Sequence, residues 1–484
     1  MGNQKGTTAE RRGILDGESS RRCFLKAATA VAASGLSLLT FPGRGATAST
    51  EDMSALTTMN ATDKGYWNHV RSQFVLDPQI THLNTGTEGA MPREVIKALN
   101  RYLIEFASNP MQAAALSADF SYFQQANRER VAAFTGARPT ELVLTTNTTE
   151  GMNVVIHGLN LNAGDEVITT FHDHSAGLSP LQVFRDRRGI IVKQLTLPSP
   201  ASSKEELVAL FRDAITANTK AICFCHINYT TGLRMPVKEL CDLARSYGLI
   251  SIVDGAHALG MLELDLHDLG CDFYSCAGHK WLNAPPGTGV LYIRDGENNP
   301  FKVWPMLTEL YGYPGPVTVL LQVAGQQNTP AIKAMGNAMD LQDAIGKTRI
   351  EERVLELSGY LKAKVLEQWG RENLLTPVQT DLSTGIAAFV PFADFADRYN
   401  SAKISRAVTA VREQYKIYIR SVNFQDRPGD TKKTNALRVS THIFNSFSDI
   451  DNLMSALKEV TASMSGKAVF SVRGFGEEAL EFMN

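Results

Sequence analysis

The stretch "CAGHKWLNAPPGTGVLYIR", Cys276–Arg294, sets one lysine behind a histidine and an Ala-Gly turn, ahead of prolines and glycines that lead into an apolar run. Few charges surround it. A lysine held in so tight a turn near strand ends is placed for its amine, since solubility is served as well by any surface helix. Upstream, "LISIVD" (249–254) and "DFYSCA" (272–277) read as short apolar strands. Asp254 closes the first, followed by Gly255, Ala256 and His257. A carboxylate at the end of an apolar strand is costly without a positive partner. Asp before Gly is also an ordinary turn former.

The same alternation runs outward in both directions. Further strands are expected at 141–146, 166–171, 189–195, 220–227 and 289–294, with helical patterns between several of them, such as 203–217 and 236–248. β-branched runs joined by helices predict an α/β fold, a mainly parallel seven-stranded sheet covered on both faces. Ligands of such sheets bind outside the carboxyl ends of the strands. Past residue 330 the pattern changes to a long helical stretch, 332–369, broken near Gly346, and then to a shorter α+β segment with "ALRVSTHIF" (436–444) and a helix over 447–460. The expected organisation is an N-terminal segment 49–80, a large domain 81–335, a smaller C-terminal α+β domain 336–465 and a tail 466–484.

Bulk properties exclude several functions. Lys and Arg number 48 against 50 Asp and Glu, a net charge of -2, which leaves no footprint for nucleic acid or an anionic membrane. After the N-terminal region no apolar run approaches the length of a bilayer span. The six cysteines, at 23, 223, 225, 241, 271 and 276, show no metal-site spacing and read as buried apolar residues.

The first 48 residues stand apart. "SSRRCFLKAATAVAASGLSLLTF" pairs Arg21 and Arg22 ahead of a moderately apolar segment, and "ATA" at 46–48 offers a small-residue cleavage pattern. This resembles a twin-arginine (Tat) signal peptide. The resemblance implies passage through the Tat translocase as a folded protein and a periplasmic location.

Other strand ends collect polar groups. In "TTNTTEGMNVVIHGL" (145–159), Thr148 and Thr149 precede Gly151 where a helix begins, and free N–H groups there favour an anion. Threonines also cap helices routinely. His174 follows the 166–171 strand. Asp254 and Lys280, at successive strand ends, form either a structural ion pair or the two ends of a clamp on a pyridine ring. In the clamp the carboxylate keeps the ring nitrogen protonated and the amine binds the aldehyde as a Schiff base.

"TTNTTEG", "VITTFHDHSAGL", "ICFCHINYTTGLRMPVKEL", "SIVDGAHALG", "YSCAGHKW" and "ALRVSTHIFN" occur in the order and spacing of class V aminotransferase-like enzymes, the fold-type I pyridoxal 5'-phosphate branch. The opening "YWNHVRSQFVLDPQITHLNTGTEGAMP" (66–92) is most similar to the isopenicillin N epimerase-like subgroup. The resemblance implies pyridoxal 5'-phosphate bound to Lys280, with Asp254 on the pyridinium nitrogen and His174 over the ring. It puts His257 and Tyr229 near the ring hydroxyl, and Thr148, Thr149 and His279 on the phosphate. Thr329, in "GQQNTPA", would reach the phosphate of a neighbouring subunit, so a homodimer is implied. Arg438 would bind the substrate α-carboxylate as a bidentate fork, and Asn84 would also contact the substrate.

Three departures narrow the subgroup. No cysteine follows Cys276, where desulfurases need one on a C-terminal loop. Ala277 replaces a serine common before "GHK", so one phosphate donor is either missing or moved, with Ser275 as the candidate for the latter. Tyr229 stands where desulfurases often carry asparagine. The resemblance thus implies Cα proton abstraction on an amino acid or an amino-acid-bearing peptidic secondary metabolite, in epimerase- or aminotransferase-like chemistry. Tailoring of a pyoverdine-type siderophore is the exported example. A β-eliminating C–S lyase and a degenerate binding or scaffold protein are the alternatives.

Overall fold

The computed structural model describes residues 56–57, 65–109, 122–312, 316–325, 327–427 and 429–465. Both the arginine pair at 21–22 and the tail 466–484 lie outside the described residues. All seven expected runs form strands. After β1 (Thr81–His82) come β2 (Leu142–Thr145), β3 (Glu166–Thr170), β4 (Ile191–Leu195), β5 (Thr219–Cys225), β6 (Ile250–Asp254), β7 (Phe273–Ala277) and β8 (Gly289–Ile293). β2 to β8 make one sheet in the order β2-β8-β7-β6-β5-β3-β4. β8 is antiparallel to both neighbours, and every other pairing is parallel.

The central strands are buried on both faces, which is why they read as unbroken apolar runs instead of alternating ones. Successive residues serve opposite layers. Ile222, Phe224, Val253 and Tyr274 enter one core, while Cys223, Ile252 and Phe273 enter the other, under the helices Thr148–Gly158 and Ser175–Arg188. The five cysteines past residue 48 are free and buried, as expected.

The long helical stretch is two helices, Thr329–Ile345 and Lys347–Trp369, joined at Gly346. Gly346 has φ 97°, a left-handed backbone that glycine adopts without steric cost. They lead to a three-stranded antiparallel sheet, β9 (Ile386–Phe389), then β11 (Arg420–Gln425) and β12 (Lys433–Ser440) in the order β11-β12-β9. β10 (Ile417–Tyr418) lies between β9 and β11 in the chain and pairs in parallel with β1.

That last pairing ties residues 81–82, at the start of the expected large domain, to the C-terminal region. Thr81 and His82 are bonded to the C-terminal region, Leu83 lies in its core, and Asn84 bridges to Ser440. A two-residue strand is too short to leave a periodic signal, and its partner lies more than 330 residues away in the chain. The chain therefore crosses from the small domain to the large one around 84–92, and the site lies beside that crossing.

Candidate active site

A cavity of about 360 Å³ opens at the carboxyl ends of the large sheet. Lys280 enters it from the turn after β7, three residues beyond Ala277. The turn is held from below. Trp281 is fully buried, its carbonyl accepts from Gln342 Nε2 at 2.8 Å, and Asn283 N–H donates to the Lys280 carbonyl at 3.3 Å. From above, Gly89 N–H donates to the His279 carbonyl at 2.9 Å, and a Cβ on Gly89 would run into the Lys280 carbonyl.

Burial pulls the Lys280 amine down to about 8 against the upward pull of Asp254, with Arg438 adding to the fall. Asp254 ends β6 fully buried. Its Oδ1 accepts the Ala256 N–H at 3.0 Å, while Oδ2 has no partner among the described residues. Burial lifts its carboxyl to about 6, opposed by the Ala256 N–H and Lys280. Gly255 follows because a Cβ there would enter the Tyr274 ring. The "DGAH" turn is therefore steric as well as chemical.

The histidines have defined tautomers. His174 caps the helix Ser175–Arg188 by accepting the Ala176 N–H at Nδ1, 3.1 Å, so its Nε2 carries the proton. His257 Nδ1 accepts from Trp281 Nε1 at 3.1 Å, which leaves Nε2–H as its donor. Burial first, then the Lys280 charge, hold both rings neutral, His174 at about 4. His279 is likewise lowered to about 4 by burial and Lys280. Thr148 begins the helix Thr148–Gly158, whose N-cap Asn147 accepts the Glu150 N–H at 2.9 Å. Thr148 Oγ1 and His279 Nδ1 are buried with no partner among the described residues, and Thr149 lines the same rim.

The small domain supplies the opposite wall. Arg438, on β12, is 1% exposed, and burial draws its guanidinium down to about 9. Nη2 donates to Asn84 Oδ1 at 3.0 Å and Thr87 Oγ1 at 2.8 Å, and Nη1 donates to the Tyr229 carbonyl at 3.2 Å. Nε has no partner among the described residues. Three of five donors are thus committed, leaving Nε–H and one Nη1 hydrogen. A carboxylate docking along the Nε–Nη2 edge would displace Thr87, whose side chain is exposed. Gly86 permits the close approach, since a Cβ there would press on Ser440 Oγ and the Arg438 guanidinium. Tyr229 and His174 meet edge to face, ring centroids 5.0 Å apart.

Lys280, His174, His257, Thr148, Thr149, His279, Tyr229 and Arg438 all line one cavity, with Asp254 linked to Lys280 through its charge. Asn84 does not line it and instead holds Arg438 in place. Ser275 is no replacement phosphate donor. Its hydroxyl donates to the Thr148 carbonyl at 3.1 Å, and it packs where a Cβ on Gly151 would go. Thr329 starts the helix Thr329–Ile345, is 8% exposed and stands outside this cavity's lining. Sequence reasoning missed Gly86, Thr87 and Arg420, which also line it. "NTGTEG" (84–89) carried a signal in its two glycines; Arg420 carried none until the β11–β12 register was known.

The family model for aminotransferase class V matches residues 83–453. An isopenicillin N epimerase of Streptomyces clavuligerus is 31% identical over 412 residues, covering 82% of this chain and 98% of that one. A probable cysteine desulfurase of Pseudomonas aeruginosa is 29% identical over 388 residues, 78% of this chain and 93% of that one. Among solved structures, C-DES with glycine covalently linked to the PLP cofactor superposes with a TM-score of 0.68 at 21% identity, covering 80% and 98% of the two chains. The apo cysteine desulfurase of Thermococcus onnurineus NA1 gives 0.67 at 23%, covering 82% and 98%. These two share the fold.

The unsatisfied atoms fit pyridoxal 5'-phosphate. Asp254 Oδ2 offers a buried acceptor for a pyridinium N–H, and Thr148 Oγ1, Thr149 and the helix N–H groups offer donors to a phosphate. Lys280 offers an amine, and His257 Nε2–H a donor for a ring oxygen. Polar atoms this deeply buried are seldom left unpaired unless a ligand completes them.

Proposed function

Because the chain belongs to the aminotransferase class-V family and is a pyridoxal-phosphate-dependent enzyme, we propose that it abstracts the Cα proton of an amino acid, free or carried on a peptidic metabolite, as an epimerase or aminotransferase. The observation that carries this reading is Arg438. A buried guanidinium with unused donors faces Lys280 across one cavity, as the α-carboxylate and Cα proton of one substrate require.

The bound cofactor supplies the electron sink at Cα. Arg438 holds the carboxylate, and its posture is fixed by Asn84, Thr87 and the Tyr229 carbonyl. The Lys280 amine, lowered to about 8 by burial, is neutral in roughly a tenth of molecules at pH 7, far more often than an ordinary lysine, and accepts the Cα proton. Asp254, whose carboxyl burial lifts to about 6 against the Ala256 N–H and Lys280, would anchor the ring nitrogen. Among the described residues no thiol is placed for desulfuration: Cys223, Cys225, Cys241, Cys271 and Cys276 are all buried and none lines the cavity. The test is incubation of the purified protein with L- and D-amino acids in deuterated water. The reading expects α-deuterium in at least one; no α-deuterium across a panel that includes peptide-borne amino acids would sink it.

The reading extends to place and assembly. The Arg21–Arg22 pair and its flanks support Tat export to the periplasm and a secondary-metabolite substrate of siderophore type. Arg21→Lys with Arg22→Lys should then retain the protein in the cytoplasm; normal periplasmic recovery would refute the route. A homodimer with Thr329 serving the neighbour's phosphate is supported by Thr329's position outside its own cavity. Light scattering at twice the chain mass is the expected result.

A further inference from the structure

Arg438 is not the only arginine in the cavity. Arg420, the first residue of β11, lies directly opposite Arg438 in the antiparallel register with β12. Residues so paired share one face of the sheet with Cβ atoms about 4.5–5.5 Å apart, and like charges in that position oppose each other. Both line the same cavity, beside Lys280. Its lining holds three cations and no aspartate or glutamate. The hydrogen bond recorded for Arg420 is a long one, Nη1 to Thr87 Oγ1 at 3.5 Å, and no carboxylate among the described residues pairs with it.

Structural ion pairing therefore does not account for Arg420. Cofactor binding does not either. The unpaired phosphate donors sit at the helix starting at Thr148, whereas Arg420 contacts Thr87, which also holds Arg438. With Lys280 engaged by the cofactor and Arg438 by the α-carboxylate, one exposed guanidinium remains at the substrate end of the cavity. Its charge reaches Lys280, His174 and His257. Repulsion between opposed arginines is relieved when each meets its own anion.

We propose that Arg420 receives a second carboxylate of the substrate, so that this cavity selects amino acids, free or peptide-borne, bearing an acidic side chain or a second free carboxyl group. The proposal rests on Arg438 as the α-carboxylate partner. It adds a specificity determinant that acts by charge and needs no step at Cα.

The test uses holoenzyme and amine-free probes. Glutarate and adipate are titrated against butyrate and hexanoate, followed by the visible band of the bound cofactor. Each dicarboxylate should bind the wild type about tenfold or more tightly than the monocarboxylate of similar length. Arg420→Gln should abolish that gap with hexanoate changed less than about twofold, and Arg420→Glu should invert it. A wild-type gap below about twofold, a gap that survives Arg420→Gln, or equal weakening of both probes would overturn the proposal. So would loss of cofactor from Arg420→Gln, which would assign the guanidinium to the phosphate. No proton transfer is asked of these probes, so their failure is distinct from a failure of the α-deuterium experiment.

Discussion

The two walls of the cavity are built by different rules. The wall from the large sheet takes Asp254, His174 and Lys280 from the ends of parallel strands and the turns after them. Each unit is local: an apolar run, then a polar group within about six residues. The wall from the small domain is long-range. Arg438 is held by Asn84 and Thr87, more than 350 residues earlier, and opposed by Arg420 through sheet register. The first wall is shaped for a cofactor common to the family. The second carries the two opposed arginines on which the proposed substrate selectivity rests.

The contrast breaks most sharply at Lys280. Lys280→Ala should slow α-deuteration by about 10³-fold or more, since positioned proton transfer alone contributes about 10²–10⁴-fold. Lys362 is the control on the same chemistry. It is also a buried amine lowered to about 8, but it donates to the Pro377 carbonyl and Ser383 Oγ, and none of the three lines the cavity. Lys362→Met should keep turnover per folded molecule.

Next in size is a pH effect. The rate at which the apo chain takes up cofactor should rise with pH through a midpoint near 8, because the neutral amine is the nucleophile and burial lowers its pKa from 10.5. At pH 8 an ordinary lysine is neutral about a hundredfold less often. A midpoint near 10 by stopped-flow absorbance would remove burial from the explanation.

On the substrate wall, Arg438→Gln should lower kcat/KM about 10–150-fold, the worth of a charge-assisted hydrogen bond of about 1.5–3 kcal/mol, with cofactor content unchanged. Loss of cofactor instead would move Arg438 to the first wall. Asn84→Ala should have a smaller effect, about 3–5-fold in KM, because Thr87 and Tyr229 still hold the guanidinium. Smallest is Trp281→Phe. It should cost about 1 kcal/mol of stability and release His257 Nδ1 from its acceptor role, read by the ¹⁵N shifts of the ring.

Legibility in the sequence followed the same division. β2 to β8 and the break at Gly346 announced themselves through apolar runs and helical periodicity, which are local quantities. Asp254 and Lys280 stood out because charges are rare at the ends of such runs. Asn84 was legible as a residue near the substrate, but not as the prop of Arg438, because a bridge from β1's flank to Ser440 leaves no trace in composition. Ser275 was a candidate phosphate donor only because Ala277 stands where the resemblance implies a serine. Its hydroxyl is consumed by the Thr148 carbonyl, a contact fixed by how the helix seats on β7. Arg420 needed the register of two strands before its neighbour was known.

The most direct measurement is borohydride reduction of the purified protein followed by peptide mapping. A pyridoxyl label on Lys280 alone, absent from Lys280→Ala, is the expected result. A label on Lys362 or another lysine, or no label in protein that retains its fold, would contradict the site described above.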